Sequence, residues 1–442
     1  MRYLNCCLSF SHFEVSPNYY DLFELLHTVL VRLLRWCQWI SFGSKTLSVH
    51  TDIDVIVAGG SVSGLFAARE IATLGQNVMV LEEDLEIGEP EKCDGLVSVK
   101  GLTDLGIVPV RRVVQNEIKR AVLHSPNGTE VEIDASRQKV VVLDRKEFDM
   151  ELAKSASFHG AEIRVGDKVE SIVQRDREVD VKVGGDKISR CRFVVDATGV
   201  QSLFKIRRNG ILQAAKYEIE ASWIMDDTVE LYFDQRVTPG FFTWVIPIGE
   251  GMAKVGTAGQ EINSFRVLTD FVNTRGGKIM KKIAAPIVVS GLINKFVNGR
   301  VVAVGDAAGQ TKPTTGGGIY TGGVAGILAG KAICRELTGE KSSLDGYDKN
   351  WRNLFGGEFR RMMLVRKAFE KMENHHLDRA FEYVRSSGVV EPVSEDGNFD
   401  LHSLAFLKAL GIKNVLEMAT SLAATELKEL VSLIKHKAID RM

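Results

Sequence analysis

The fold is decided by residues 54–83, which read DVIVAGGSVSGLFAAREIATLGQNVMVLEE. The first apolar run, VIVA, is short and continuous, which is typical of a parallel strand that is buried on both faces. A glycine-rich turn, GGSVSG, follows this run, and then comes an amphipathic helix that ends at Gly75. A second buried run, VMVL, leads into Glu82. The stretch predicts one β-α-β unit, and with it an α/β fold built on a parallel, Rossmann-like sheet.

The turn in this unit can bind the pyrophosphate of a dinucleotide. Gly59 and Gly64 allow a tight turn and close backbone approach, and the N-terminus of the next helix presents free N–H groups to an anion. Ser61 stands where the usual fingerprint has its middle glycine, and its hydroxyl can donate to a phosphate oxygen. Glu82 closes the second strand, where a carboxylate can accept hydrogen bonds from ribose. The alternative is that the glycines serve only close helix–strand packing.

A second glycine cluster, VGDAAGQTKPTTGGGIYTGG, occupies residues 304–323. A buried strand brings Asp306 to its carboxyl end, which is where ligands bind in open α/β sheets. Pro313 then fixes a turn, and Gly316 to Gly318 open another helix. Two glycine-rich turns of this kind need a long ligand that extends across the sheet, so the sequence predicts FAD.

The remaining patterns predict how the chain is divided. Residues 51–205 and 290–340 form the FAD-binding domain, and residues 206–289 form an inserted antiparallel-sheet substrate domain, because strand-like runs alternate there without helices. Residues 341–442 form a C-terminal helical region. Residues 1–50 contain a leucine-rich segment that charges interrupt too often for a membrane-spanning helix. Three interpretations of this extension stay open: an amphipathic helix on a membrane surface, a packed appendage, or a native start that lies later.

Composition excludes several classes of protein. The 56 basic and 57 acidic residues give a net charge of -1, which provides no electrostatic footprint for nucleic acid. The six cysteines form no C-x-x-C pair, which argues against a zinc ribbon or a cysteine-ligated iron–sulfur cluster, so we expect no metal site. Their scatter is typical of a reducing compartment and predicts a cytoplasmic protein, either free or peripheral at the membrane.

Together, GGSVSG, the DATG of residues 196–199 and the GDAAG…P…GGGI pattern resemble the glutathione-reductase-like, hydroxylase-type FAD-dependent oxidoreductases. Within that superfamily the chain resembles the geranylgeranyl reductase family, including the archaeal digeranylgeranylglycerophospholipid reductases. Three stretches carry this closer resemblance: EEDLEIGEPEKCDGLVS (82–98), VLDRKEFDMELAKSA (142–156) and PGFFTWVIP (239–247). The chain departs from the family's patterns at Ser61, Phe242 and Ile246.

The resemblance implies a role for individual residues. Cys93 would hold its thiol over the flavin and deliver or relay a proton; the alternative is a small apolar filler in a tight loop. Arg145 would contact the flavin, or would be only a cation at the start of a helix. Phe242, Trp244 and Pro247 would line an apolar substrate pocket, or would simply form core. The expected cofactor contacts are Gly59, Ser61, Gly64, Glu82, Glu83, Gly95, Arg145, Gly199, Asp306, Pro313, Gly316, Gly317 and Gly318.

The implied activity is the reduction of isoprenoid carbon–carbon double bonds in geranylgeranyl chains of archaeal ether lipids or other prenyl substrates. The electron donor stays open among NAD(P)H, ferredoxin and a quinol, so a donor protein is one expected partner besides the prenyl lipid. Two alternatives belong to other classes. One is a flavin monooxygenase or halogenase, although the F-x-W-x-I-P of this chain lacks the first tryptophan of the halogenase motif. The other is a membrane electron-transfer flavoprotein that passes electrons to quinone, against which the lack of clustered cysteines counts.

Overall fold

The computed structural model describes residues 53–185, 187–204, 210–387 and 399–401. All of the described residues belong to the unit Asp52–Met442. The N-terminal extension therefore lies outside the described residues, and its three interpretations stay predictions.

The described residues form twenty strands and seven α-helices. The strands are β1 Val55–Ala58, β2 Val78–Glu82, β3 Leu96–Ser98, β4 Val114–Ile118, β5 Arg120–His124, β6 Glu130–Asp134, β7 Val140–Leu143, β8 Glu162–Val165, β9 Val169–Gln174, β10 Val179–Val183, β11 Lys187–Cys191, β12 Phe193–Asp196, β13 Ile211–Glu220, β14 Thr228–Tyr232, β15 Thr243–Gly249, β16 Met252–Gly259, β17 Lys278–Ala284, β18 Ile287–Val288, β19 Val297–Asn298 and β20 Val301–Ala303. The α-helices are α1 Val62–Thr73, α2 Val99–Asp104, α3 Arg145–Phe158, α4 Ser264–Arg275, α5 Ile319–Leu337, α6 Ser343–Phe369 and α7 Asn374–Ser386. Short 3₁₀ turns cover Ser136–Gln138, Gly199–Gln201 and Gly305–Ala308.

The predicted β-α-β unit lies at the centre of a six-stranded sheet with the order β19-β20-β12-β1-β2-β8. Strand β1 pairs in parallel with β2 on one side and with β12 on the other, and only β19 at the edge runs antiparallel. The chain order reverses at β1, and this is the switch point at which α/β folds bind ligands. Residues of α1, α5 and α6 share the core of this layer. The α/β fold class with a parallel sheet is confirmed.

A second, larger sheet has the order β17-β13-β16-β15-β14-β5-β6, with β18 paired to β13. Its neighbours run antiparallel except for β14 and β5, which pair in parallel. Strands β5 and β6 come from Arg120–Asp134, so this sheet extends beyond residues 206–289. The division into domains stays a prediction.

The two faces of the larger sheet have different neighbours because side chains alternate along a strand. One face, with Tyr217 and Val255, packs against Leu268 and Val272 of α4. The opposite face contributes buried residues of β13, β15 and β16 to an apolar cluster that also includes residues of β4 and β7. These last two strands belong to a small sheet of order β3-β7-β4.

The helices that follow α5 connect both layers. Trp351, Phe355 and Phe359 of α6 pack into the core of the parallel sheet. The end of α6 and Leu377 of α7 pack instead into the apolar cluster of the larger sheet. None of the described helices combines the length and the apolarity that crossing a membrane requires.

Candidate active site

The turn between β1 and α1 is packed so closely that it requires glycine. Gly59 has a φ of 106°, which is in the region that favours glycine. A Cβ at Gly59 would lie 2.3 Å from the carbonyl oxygen of Ala197, and one at Gly64 would lie 2.1 Å from the carbonyl oxygen of Gly59. The absence of side chains at Gly59 and Gly64 therefore allows β1, β12 and α1 to approach one another closely. This is expected if the glycines serve close helix–strand packing.

Two helix N-termini remain open next to each other at this point. Helices α2, α3 and α4 are each capped by a side chain that accepts a hydrogen bond from a first-turn N–H, whereas Ser61 before α1 and Gly318 before α5 provide no such cap. A Cβ at Gly305 would lie 2.4 Å from Oγ of Ser63, and one at Gly322 would lie 3.6 Å from Cα of Gly305. Because first-turn N–H groups have no intrahelical acceptor, both N-termini can bind anionic groups of one ligand.

The two acidic residues after β2 are placed differently. Oε2 of Glu82 accepts a hydrogen bond from the Gly60 N–H at 2.6 Å, and Oε1 accepts one from the Asp84 N–H at 2.9 Å. Each carboxylate oxygen can accept a further bond, so Glu82 can serve a ribose hydroxyl beside the turn. Glu83 instead forms an ion pair with Lys168 at 2.6 Å near the surface.

Arg145 connects the first turn to the predicted catalytic cysteine. It is the first residue of α3, and its buried guanidinium lies 2.7 Å from Oδ2 of Asp149 and 3.1 Å from Oγ of Ser61. Burial would lower the pKa of Arg145, but charge interactions and hydrogen bonds with Asp149 and Cys93 raise it. Arg145 is therefore a buried, permanently charged group whose charge acts on the Cys93 side chain.

The loop that carries Cys93 is held against β7. Gly95 has a φ of 84°, and a Cβ there would lie 2.3 Å from the carbonyl oxygen of Leu143. The Leu143 N–H donates to the carbonyl oxygen of Gly95 at 2.9 Å. Gly95 thus allows the loop to lie close against β7, and Cys93 lies half-buried at the edge of an apolar cluster.

Charged and polar side chains of the larger sheet hold the other side of this loop, and the sequence analysis missed the charged ones. Nζ of Lys216 donates to the carbonyl oxygen of Cys93 at 3.2 Å. Nζ of Lys254 forms a buried ion pair with Glu91 at 2.6 Å. Nε1 of Trp244 donates to Oδ2 of Asp94 at 2.8 Å. The sequence does contain an indication of these buried lysines, because each is a single lysine among small or apolar residues of its strand: AAKY (214–217) in β13 and MAKV (252–255) in β16.

The second glycine cluster brings several predicted residues together. Asp306 follows β20 in a 3₁₀ turn, and its carboxylate accepts a hydrogen bond from the hydroxyl of Thr311. A Cβ at Gly318 would lie 3.5 Å from Oδ1 of Asp306. The carbonyl oxygen of Pro313 accepts from Arg366 at 3.3 Å, so Pro313 lies against α6. Gly199 follows β12, and the space that its Cβ would fill is open within 4 Å.

The aromatic residues of PGFFTWVIP are partly brought together. The rings of Phe242 and Trp244 are 6.0 Å apart in a T-shaped arrangement, and both belong to the apolar cluster of the larger sheet. The Trp244 ring lies over Gly256, where a Cβ would be 2.1 Å from a ring atom. Pro247 pairs with Ala253, which packs on the α4 face, so alternation places Pro247 on the face opposite to Trp244.

We expect Gly64→Ala to reduce both flavin content and stability. The new Cβ forces the turn away from Gly59 O, and overpacking of this kind costs about 1–3 kcal/mol. Flavin released per mole of purified protein and the urea midpoint measure the two effects. Gly346→Ala in α6 is the matched control, because its Cβ meets open space. Equal flavin content in both variants would contradict this assignment of the turn.

Comparisons with known proteins agree with this geometry. Residues 54–253 match the family model described as lycopene cyclase protein. The chain is 30% identical over 347 residues to digeranylgeranylglycerophospholipid reductase 2 of Methanothermobacter thermautotrophicus, and this alignment covers 74% of this chain and 90% of that relative. It is 32% identical over 351 residues to digeranylgeranylglycerophospholipid reductase 1 of Methanococcoides burtonii, and this alignment covers 74% of this chain and 86% of that relative.

Solved structures share the fold. A geranylgeranyl bacteriochlorophyll reductase-like protein from Thermoplasma acidophilum superposes with a TM-score of 0.72 at 24% identity, over 85% of this chain and 98% of the other. A halogenase crystallised with FAD superposes with a TM-score of 0.61 at 14% identity, over 88% of this chain and 96% of the halogenase. The identity and coverage of the curated relatives show that the chain belongs to the digeranylgeranylglycerophospholipid reductase family of FAD-dependent oxidoreductases.

Proposed function

We propose that this protein is an FAD-dependent reductase that saturates isoprenoid carbon–carbon double bonds of geranylgeranyl chains on ether lipids or related prenyl substrates. One observation carries the proposal beyond family membership. The charge of the buried Arg145 guanidinium acts on the Cys93 side chain, and the loop that carries Cys93 is bonded to Lys216 and Trp244 of the larger sheet. The thiol of Cys93 therefore lies between polar groups that suit a cofactor and apolar side chains that suit a hydrocarbon.

The described residues fit FAD. The open N-terminus of α1 would hold the pyrophosphate, Glu82 the adenosine ribose, and Asp306 the ribityl or phosphate end. Gly317 and Gly318 would present N–H groups to the pyrimidine edge of the flavin, whereas the Gly316 N–H already donates to the carbonyl oxygen of Lys312. When bound and reduced, FAD supplies the hydride for the alkene.

The apolar cluster of the larger sheet suits a prenyl chain. Its large members include Phe233, Phe241, Phe242, Trp244, Ile246 and Phe369. All of these side chains except Phe369 are buried, so a prenyl chain would reach them only where the cluster opens, and it would bind there by removing its own apolar area from water. Isolated alkenes are poor hydride acceptors, so orientation of the chain and exclusion of water must supply much of the catalysis.

Cys93 is the proposed proton donor to the second alkene carbon. The thiol lies half-buried at the edge of an apolar cluster, and the charge of the buried Arg145 guanidinium acts on it. The Lys216 contact to the Cys93 carbonyl fixes the backbone from which the thiol projects. Arg145 and Lys216 thus position the acid.

We also propose that the protein works at a membrane surface, because its substrate is a lipid. One described loop fits contact with an anionic bilayer: Val108 and Val110 are exposed next to the exposed Arg111, whereas Arg112 pairs with Glu147 at 2.7 Å. The electron donor stays open among NAD(P)H, ferredoxin and a quinol.

The proposed activity is tested with the flavoprotein reduced by dithionite under anaerobic conditions and mixed with lipids that carry geranylgeranyl chains. We expect mass spectrometry to show a gain of two hydrogens for each bond saturated. Protein left oxidised is the control and should give no gain. A product that gains oxygen, and forms only in air, would identify a monooxygenase instead. No mass gain with reduced wild type would overturn the reductase assignment.

A further inference from the structure

The second glycine cluster contains a buried cation that the proposed mechanism does not use. Lys312 is 6% exposed, and its Nζ donates to the carbonyl oxygen of Phe399 at 3.3 Å. The same ammonium lies 4.9 Å from the centroid of the Phe399 ring. Within the described part of the chain, no carboxylate lies within 4.0 Å of it. An ammonium in this position is costly unless a negative charge comes close.

The surrounding charges do not neutralise Lys312 at close range. Burial lowers the pKa of Lys312, and the more distant carboxylates of Asp400 and Glu358 only partly offset this effect. The carboxylate of Asp400 accepts a hydrogen bond from Ser98. The nearby buried cation Arg366 differs, because it has an ion pair with Glu370 at 2.6 Å.

The backbone fixes the ammonium beside the glycines that open α5. The Lys312 N–H donates to the carbonyl oxygen of Gly317 at 2.9 Å, and the Gly316 N–H donates to the carbonyl oxygen of Lys312 at 2.8 Å. The side chain then folds over Gly317, where a Cβ would lie 2.7 Å from Cε and 3.2 Å from Nζ. Gly316 to Gly318 are themselves half-exposed. A ligand on these glycines would therefore lie within a few ångströms of a buried positive charge.

The N-terminus of α5 and the ammonium of Lys312 place two sources of positive charge close together. The N-terminus of α5 has no side-chain cap, so its first-turn N–H groups and its helix dipole attract negative charge. The ammonium of Lys312 adds a full charge in surroundings that water screens poorly. The N-terminus of α5 and the ammonium of Lys312 together attract a negatively charged ring edge more strongly than a neutral one.

We propose that Lys312 stabilises the negative charge that flavin acquires on reduction and so tunes the bound cofactor toward its reduced form. This inference rests on the proposed function, since it needs FAD on Gly316 to Gly318. Reduction adds two electrons and one proton to the flavin, from dithionite or from the physiological donor, and leaves one negative charge on the pyrimidine ring. Lys312 takes no part in transferring these electrons or this proton.

The test compares the midpoint potential of bound FAD in wild type, Lys312→Met and Lys312→Arg. We expect the methionine variant to lower the equilibrium ratio of reduced to oxidised flavin at least tenfold, which is about 30 mV for a two-electron couple. The arginine variant should stay close to wild type because it keeps the charge. Lys100→Met controls for net charge, since Lys100 is exposed and paired with Asp104. Affinity for oxidised FAD should not fall in the methionine variant.

A second measurement uses the wild-type protein alone, in case the methionine variant does not fold. Sulfite adds to flavin N5 and leaves negative charge on the pyrimidine ring, so a nearby cation strengthens its binding. We expect sulfite to bind the wild-type flavoprotein at least tenfold more tightly than it binds free FAD. Equal sulfite affinity, or an unchanged potential in a folded methionine variant, would overturn the role of Lys312. Absence of FAD from wild type would instead overturn the proposed function.

Discussion

Replacement of Cys93 by alanine is expected to slow alkene reduction about a hundredfold, the usual scale for a lost general acid. FAD should stay bound, because the substitution adds no bulk and the bonds of Gly95 to Leu143 are made by backbone atoms. Serine at the same position should recover little of the rate, since its hydroxyl is a much weaker acid than a thiol. The rate of saturation of prenyl chains by the reduced flavoprotein measures this effect.

Reduction of the bound flavin by dithionite is the internal control. It does not use the substrate proton, so both Cys93 variants should match wild type in this step. If both variants also saturate prenyl chains at the wild-type rate, Cys93 only fills a tight loop and another group supplies the proton. If dithionite reduction slows as well, the substitution has disturbed the cofactor site.

Lys254→Met is expected to lower the free energy of unfolding at neutral pH by about 3–5 kcal/mol, the cost of leaving one partner of a buried ion pair alone. Lys254 is fully buried, and its partner Glu91 is 8% exposed. Burial would raise the pKa of Glu91, but Lys254 and Lys216 lower it below its ordinary value of 4.5. The pair therefore stabilises the fold above that pH, and its contribution is lost as the pH falls through the lowered value.

Urea unfolding at pH 7 and at pH values below 4.5 measures this prediction. The difference between wild type and the Lys254 variant should shrink in acid, because protonated Glu91 no longer needs a cation. Lys278→Met is the matched control, because its pair with Glu220 is exposed, and such pairs contribute about 0–1 kcal/mol. An equal loss of stability in the two lysine variants would mean that the buried pair does not stabilise this part of the fold.

The parallel sheet could be predicted from short stretches of sequence. The apolar runs of β1 and β2 are local patterns, and so is the glycine turn between them. A missing Cβ is a property of the residue itself, so the sequence marks Gly59 and Gly64 as places where backbone segments can pack closely, and the structure places both in such contacts. Their contact with a pyrophosphate stays a prediction. Asp306 follows the buried strand β20, as its place after an apolar run in the sequence indicates.

The residue roles in cofactor and substrate binding stay predictions, although the structure groups many of these residues. Pro247 shows that residues of one sequence motif need not lie on the same face of a sheet. It belongs to the same motif as Trp244, but the pleat of β15 turns it to the face that packs on α4. The sheet register, which depends on the neighbouring strands, decides which side of a strand meets the site.

Residue types and their local spacing were enough to indicate the α/β class and the two glycine turns, and the resemblance of short motifs indicated the FAD-dependent family. Which charges are buried, and what they contact, follows from the tertiary structure alone. Lys216 and Lys254 lie more than a hundred residues from the Cys93 loop that they hold, and Lys312 is covered by Phe399 from the far end of the chain. The physical reason is that burial and ion pairing arise where separate layers meet, and no local periodicity encodes that meeting.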